Sequence, residues 1–256
     1  MDLQIKDQLF IVGGATSGFG KAIAAALLQE GARVIAVARG ADKLKSLYSN
    51  QPNVTIVEGD ITTTSIIDQL KNIVGEHALH GMVINAGGPP AKRVLETTLE
   101  DWDDAYQNIL RWKVAITQAF VPKMMEAGYG RMLYIESSSV KQPIGNLVLS
   151  NSLRLAVTGM VKTLSQEIAR SGVTLNVLGP GSHNTPAIDR VYLKKSEQAG
   201  LPFDEVKKNA IHQIPVGTLG DPADFASLAL WLLSPQSRYV TGQTITVDGG
   251  MIKGTL

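Results

Sequence analysis

A glycine-rich segment near the amino end has the residue types and spacing to hold a phosphate group. It runs from Gly14 to Gly20 as G-x-x-x-G-x-G, directly between an apolar run and an Ala/Leu-rich helical pattern. Gly14 permits a tight turn, Gly18 lets the backbone approach a pyrophosphate, and Gly20 allows close helix–strand packing. The start of the helix adds N–H donors and positive potential. The segment therefore predicts a dinucleotide site, although glycines also form ordinary turns.

The elements that must position this segment are short apolar runs alternating with longer helical patterns. The runs are residues 9–12, 33–37, 54–57, 82–84, 132–135, 173–177 and 244–247. This alternation predicts an α/β fold: a single Rossmann-type domain over residues 1–256, with a doubly wound, seven-stranded parallel sheet and helices on both faces.

Helix boundaries are also marked. Gly31 should end a first helix over residues 19–30, and Asp221 should begin another. Long helices are expected over 101–127 and 150–170. The proline-containing stretch 183–220 follows a strand and is predicted to form a substrate lid.

Composition excludes several classes of function. The net charge of +1 gives no basic surface for nucleic acid or an anionic membrane. The chain has no cysteine, and its four histidines lack metal-ligand spacing, so we expect no disulfide, thiolate or metal site. The amino end does not read as a signal peptide, and no apolar stretch is long enough to span a membrane. A soluble, cytoplasmic protein is expected.

Later motifs, in order, resemble those of the short-chain dehydrogenase/reductase family. They are Asp60 after the third strand, Asn85-Ala86-Gly87 after the fourth, Pro180-Gly181 to Thr185, Tyr239 to Gln243, and Val247 to Gly250. The resemblance covers essentially the whole chain and is strongest to members like 3-oxoacyl-acyl-carrier-protein reductase.

The resemblance implies an oxidoreductase that acts on a carbonyl or alcohol of a small molecule, as a homodimer or homotetramer. It also implies a set of cofactor contacts: Gly14, Ser17, Gly18, Phe19, Gly20, Arg39, Asp60, Ile61, Asn85, Ala86, Gly87, Arg154, Pro180, Gly181 and Thr185.

The choice between NADP and NAD depends on the end of the second strand. An acid there would accept the ribose 2′-hydroxyl of NAD and repel a 2′-phosphate. This chain has Ala38 and then Arg39, whose guanidinium could pair with a phosphate. We predict NADP, with NAD as the alternative, and note that Arg39 could instead be an ordinary surface residue at a helix start.

The family's catalytic pattern is largely altered. Among the serines after the fifth strand we match Ser139 to the family's catalytic serine. Ser150 and Arg154 stand where the family has Tyr-x-x-x-Lys. They share a helix face, so Arg154 could keep the lysine's hydrogen bonds to the nicotinamide ribose. Ser150 is a poor proton donor. Ile109 occupies the family's asparagine position, with Asn108 next to it.

Substitute proton donors can be named but not decided from the sequence. His183 has a suitable ordinary pKa but is also a plausible loop residue. Lys113 lies one turn after Ile109 and could point into the same cleft, but we expect it to be a solvated surface lysine, as for Lys141. Tyr134 is expected in the core.

The prediction is an NADP(H)-dependent oxidoreductase with an atypical proton donor, in which Ser139, Ser150, Arg154 and His183 are the candidate catalytic residues. The alternatives are a catalytically silent NAD(P)-binding sensor or assembly protein, or a lyase or epimerase on the same scaffold.

Overall fold

The apolar runs form the strands of one parallel sheet in the computed structural model, which describes residues 2–255. The strands are β1 (Leu9–Gly13), β2 (Arg33–Ala38), β3 (Val54–Glu58), β4 (Gly81–Ile84), β5 (Gly130–Ile135), β6 (Val173–Pro180) and β7 (Thr244–Val247). Their order across the sheet is β3-β2-β1-β4-β5-β6-β7, with every neighbouring pair parallel. The predicted strands are confirmed, since strands covered on both faces need nearly continuous apolar residues.

The helices cover both faces of this sheet. They are α1 (Gly18–Gln29), α2 (Ala41–Tyr48), α3 (Thr64–Val74), α4 (Leu99–Ala105), α5 (Trp112–Glu126), α6 (Val148–Glu167), α7 (Pro186–Ala199), α8 (Phe203–His212) and α9 (Pro222–Leu233). Leu70, Phe120 and Val157 of α3, α5 and α6 pack in one apolar core. Leu27 and Phe225 of α1 and α9 pack in a second. The doubly wound, single-domain prediction is confirmed.

Local signals set the helix ends much as expected. Gly31 has a positive φ of 76° after α1, a conformation that glycine adopts without strain. Asp221 Oδ1 accepts a hydrogen bond from the Ala223 amide at 2.8 Å at the start of α9. Two helices, α7 and α8, occupy the predicted lid segment, and a parallel bridge between His183 and Gly220 joins its ends. That the segment 183–220 moves as a lid stays a prediction.

The long helix expected over residues 101–127 is interrupted. A π-helical turn, Tyr106–Arg111, separates α4 from α5. A π turn is wider than an α turn and changes which residues face the sheet. Here Ile109 and Trp112 are both buried in the core, while Asn108 lines a cleft. The Trp112 Nε1–H donates to the Asn108 carbonyl at 2.9 Å.

Residues 2–255 contain no helix that is both long and apolar enough to cross a membrane. Within the same range, no three His, Cys, Asp or Glu side chains come together as a metal site would require.

Candidate active site

A cleft of about 970 Å³ opens where the strand order reverses, between β1 and β4. At such a reversal the segments after the two strands diverge to opposite sides of the sheet, which leaves a crevice for a ligand. The Asn85 Nδ2 donates to the Gly13 carbonyl at 3.2 Å and ties the two strand ends together. The cleft therefore lies where the glycine-rich turn and the Asn85-Ala86-Gly87 turn meet.

The glycine-rich turn has no room for larger residues. A Cβ on Gly20 would lie 2.4 Å from the Gly14 carbonyl oxygen and 2.6 Å from that of Gly13. Gly14 and Gly18 have φ values of 65° and 51°. A Cβ on Gly14 would also lie 2.7 Å from the Asn85 Nδ2. The backbone thus forms a cradle that only glycine allows, which fits the pyrophosphate of a dinucleotide at the start of α1.

Most of the predicted cofactor residues line the cleft. These are Gly14, Ser17, Gly18, Phe19, Arg39, Asp60, Ile61, Asn85, Ala86, Gly87 and Thr185. Gly20 lies under the turn, and Gly181 packs on Asp248, from which a Cβ on Gly181 would be 2.7 Å away. Pro180 ends β6. The Thr185 methyl lies 3.5 Å from the Cβ position of Gly18, so the Pro180 loop reaches the cradle.

Charged side chains of both signs line the cleft after β2. Arg39 is largely exposed, and its Nη1 lies 3.9 Å from Asp60 Oδ2. Asp60 also accepts a hydrogen bond from the Thr62 amide at 3.0 Å. Lys43 and Arg190 line the same cleft and were not predicted from the sequence. Lys43 could have been found, because it lies in the first turn of the helix that follows Arg39.

Three charged side chains meet beneath the cleft; we call Lys113, Glu136 and Arg154 the charged cluster. The Glu136 carboxylate is fully buried at the end of β5. Its Oε1 accepts a hydrogen bond from Lys113 Nζ, and its Oε2 accepts one from Arg154 Nη1 at 3.0 Å. Arg154 Nε donates to Ser150 Oγ at 3.1 Å. The predicted pair of Ser150 and Arg154 is therefore in direct contact.

Arg154 also approaches the cleft. Its Nη2 lies 3.1 Å from the position a Cβ on Gly88 would take, and Gly88 lines the cleft. The Arg154 side chain is 10% exposed, whereas that of Lys113 is 3% exposed. Arg154 and Ser150 do not themselves line the cleft, but of the two cations in the charged cluster Arg154 is the one that lies beside its wall.

The expectation that Lys113 is a solvated surface lysine was wrong. It lies on the face of α5 that packs against the end of β5, where Glu136 supplies its counter-charge. Burial is the main cause that lowers the pKa of Lys113; Glu136 opposes it, the positive charge of Arg154 adds to it, and the net result is a pKa of about 8. Sequence reasoning missed the charged cluster. Its signal was Glu136, an acid directly after the apolar residues of β5, which would need a buried partner of opposite charge.

The serines after β5 differ in their surroundings. Ser139 is buried, and its Oγ has no hydrogen-bond partner within residues 2–255. Ser137 is half-buried, and its Oγ accepts a hydrogen bond from the Ser139 amide at 3.1 Å. Ser139 was chosen from the sequence, and its catalytic role stays a prediction. Ser137 is the more accessible hydroxyl, and sequence reasoning did not single it out.

His183 is packed among aromatic side chains. Its ring lies edge-on to Phe19 at 5.0 Å and to Phe225 at 5.5 Å between ring centres. Its Nδ1 is 3.1 Å from the Gly181 carbonyl oxygen. These contacts do not include Ser150 or Arg154, and His183 lines a separate cavity of about 200 Å³. A role as proton donor stays a prediction. Tyr134 is fully buried, as predicted.

Comparison with known proteins decides the family. A family model described as enoyl-(acyl carrier protein) reductase matches residues 14–252. The chain belongs to the short-chain dehydrogenase/reductase family. Among curated relatives, the 3-oxoacyl-(acyl-carrier-protein) reductase FabG of Rickettsia bellii is 31% identical over 254 residues, which cover 98% of this chain and 99% of the relative. That of Thermotoga maritima is 30% identical over 258 residues, covering 98% and 100%.

Two solved structures have the same fold as this chain over nearly its full length. L-sorbose reductase from Gluconobacter frateurii, complexed with NADPH and L-sorbose, has a TM-score of 0.91 at 26% identity and covers 99% of this chain and 100% of its own. A variant of actinorhodin polyketide ketoreductase with NADPH has a TM-score of 0.91 at 28% identity, covering 97% and 98%. Both complexes hold the cofactor predicted for this chain from its sequence.

Proposed function

We propose that the protein is an NADP(H)-dependent oxidoreductase that interconverts a carbonyl and an alcohol, with Arg154 and Ser150 holding the substrate oxygen. The observation that carries this proposal is the position of Arg154, which forms hydrogen bonds with Ser150 and Glu136 and lies beside Gly88 in the wall of the cleft. The glycine cradle, Asn85 and Arg39 would hold the dinucleotide. When bound, NADPH supplies a hydride to the carbonyl carbon.

The residues beside the cleft suit stabilisation of negative charge. As the hydride adds, the carbonyl π electrons move to oxygen, and the developing alkoxide needs hydrogen-bond donors and positive charge. A guanidinium supplies both but stays protonated, and a serine hydroxyl is a very weak acid. The proton that completes the alcohol therefore comes from water in the cleft. This differs from the family pattern, in which a tyrosine donates it.

A direct assay tests the proposal. The purified protein is mixed with NADPH, and cofactor fluorescence measures binding while loss of NADPH absorbance measures turnover. Carbonyl substrates should include 3-oxoacyl thioesters, ketoses and aromatic ketones, which span the substrates named in the relatives. We expect binding and the oxidation of NADPH by at least one class. Tight binding with no turnover across the set would contradict the proposal.

The absence of the family tyrosine also favours a second candidate, a protein that binds NADP(H) without catalysis as a sensor or assembly component. Two variants separate the candidates. If the protein is an enzyme, Ser150→Ala and Ser139→Ala should reduce its turnover. If it only binds NADP(H), there is no turnover for these substitutions to reduce. In both cases the affinity for NADPH should stay unchanged.

Arg39 is expected to set the preference for NADPH. Arg39→Asp replaces a partner of the 2′-phosphate with a repelling carboxylate, so the affinity for NADPH should fall by about 10- to 100-fold while that for NADH is kept or improved. Cofactor titrations of the variant measure both. Arg33→Asp, at the opposite end of β2, is the matched control and should alter neither affinity. Equal losses for NADPH and NADH in Arg39→Asp would argue against 2′-phosphate recognition.

We also propose that the protein is a homodimer or homotetramer in the cytoplasm. Exposed Leu95, Leu99 and Leu155 lie on or beside α4 and α6 and would support an interface there. Light scattering during size-exclusion chromatography should give a mass of two or four chains. A monomer at all concentrations would contradict this.

A further inference from the structure

We propose that Lys113 is a positioning residue whose positive charge offsets Glu136 and so leaves the charge of Arg154 available to the substrate oxygen. This inference rests on the proposed function and explains why a buried lysine accompanies the replacement of the family's Tyr-x-x-x-Lys by Ser150 and Arg154. The Lys113 side chain is 3% exposed and, unlike that of Arg154, does not lie beside Gly88, so it acts through its neighbours rather than by contact with the substrate.

The geometry divides one carboxylate between two cations. Glu136 Oε1 accepts from Lys113, and Oε2 accepts from Arg154. Within residues 2–255, no other carboxylate lies within 4.0 Å of either cation. With all three groups ionised, the charged cluster therefore has one excess positive charge.

The excess charge lies closest to solvent on the side of the cleft. Lys113 and Glu136 are almost completely enclosed, whereas the Nη2 of Arg154 reaches the wall at Gly88. Charges in the interior interact more strongly than in water, because the effective dielectric constant is lower. If Lys113 were neutral, Glu136 and Arg154 would form a pair with no net charge. The attraction of Arg154 for a developing alkoxide would then weaken.

Several groups face the Lys113 ammonium. They are Glu136 at the end of β5, Arg154 on α6 and the Trp112 ring, whose centre is 5.6 Å from Nζ. The buried Tyr134, which shares a hydrogen bond with Thr117, also experiences the charge of Glu136. Burial raises the pKa of Tyr134, so this phenol stays neutral. With a pKa of about 8, Lys113 is charged below that pH and neutral above it. Turnover should therefore fall as the pH rises through this range.

Lys113→Met is the principal test, because methionine fills the same buried space and leaves Glu136 paired with Arg154. We expect kcat at neutral pH to fall by about tenfold. The fall in wild-type kcat above about pH 8 should be absent from the variant. NADPH affinity should not change. Lys123→Met, also on α5, is the matched control and should retain the wild-type pH profile. A Lys113→Met enzyme with wild-type kcat and pH profile would overturn the inference.

Glu136→Gln provides an independent test should Lys113→Met fail to fold. Without the carboxylate, Arg154 keeps its full charge whether or not Lys113 is protonated, so the fall in kcat above about pH 8 should be absent. If Lys113 served only packing, Glu136→Gln would change stability and leave the fall in kcat in place. An unchanged pH profile in a folded Glu136→Gln variant would therefore count against the inference.

Acetate binding separates this inference from the proposed function, because it needs no turnover. If wild type reduces no carbonyl, the proposed reductase function fails, and NMR titration of acetate into the NADPH complex still reports the charge of Arg154. We expect acetate affinity to be about tenfold weaker in Lys113→Met than in wild type at neutral pH, a change of about 1.4 kcal/mol. Equal affinities would overturn the inference.

Discussion

Replacing Arg154 with methionine is expected to lower kcat by about 100- to 1,000-fold, because the substrate oxygen loses its charged hydrogen-bond donor. The variant should fold, since Glu136 keeps Lys113 as its buried counter-ion. NADPH affinity should fall by less than about tenfold, because a cradle of backbone amides and Arg39 hold the phosphates. Single-turnover and steady-state rates, with thermal unfolding as a check on folding, measure these effects.

Arg154→Lys is the informative control for this prediction. Lysine keeps the charge but offers a single ammonium in place of a planar fork, so it cannot reproduce the bonds to both Ser150 and Glu136. An intermediate kcat is expected. If Arg154→Met retained the wild-type kcat, the substrate oxygen would have to be held elsewhere, and Ser137 and Ser139 would be the next groups to replace.

Replacing Gly20 with alanine is expected to abolish measurable NADPH binding and to lower the free energy of unfolding by about 2–3 kcal/mol. The added Cβ would lie 2.4 Å from the Gly14 carbonyl oxygen. Its nearest neighbours are backbone atoms of the turn itself, which cannot move aside without deforming the cradle. Urea unfolding and NADPH fluorescence titration measure the two effects.

Gly159→Ala is the matched control, because Gly159 is exposed on α6 and a Cβ there meets nothing within 4 Å. Removing a helical glycine should raise the free energy of unfolding by about 0.5–1 kcal/mol and leave NADPH binding unchanged. A Gly20→Ala protein with wild-type stability and affinity would show that α1 can shift away from the turn, contrary to the packing described.

The fold and the cofactor cleft were largely predictable because their signals are local in the sequence. Apolar runs of the right length marked β1 to β7, and Gly31 and Asp221 marked helix ends through backbone conformation and capping. Parallel strands bring their carboxyl ends to one edge, so Gly14 and Asn85 were expected on the same edge, and the pairing of β1 with β4 makes them neighbours there.

The charged cluster was not predictable in the same way. Lys113, Glu136 and Arg154 lie on three different elements, and each alone resembles an ordinary polar residue. Helical spacing placed Lys113 one turn after the buried Ile109, but a helical lysine is usually solvated, and only the contact with Glu136 accounts for its burial. His183 shows the same limit, because only packing placed its ring between Phe19 and Phe225.

The sequence by itself determined the sheet, the glycine cradle and the replacement of the family's catalytic pair by Ser150 and Arg154. Through Arg39 it also indicated a preference for NADP, the cofactor with a ribose 2′-phosphate. Each of these follows from residue type and short-range spacing. Only the tertiary structure decided that a buried lysine and glutamate stand behind Arg154. The reason is physical: the charge that Arg154 offers to the cleft depends on burial and on partners distant in the chain, and neither is encoded at the position of Arg154 itself.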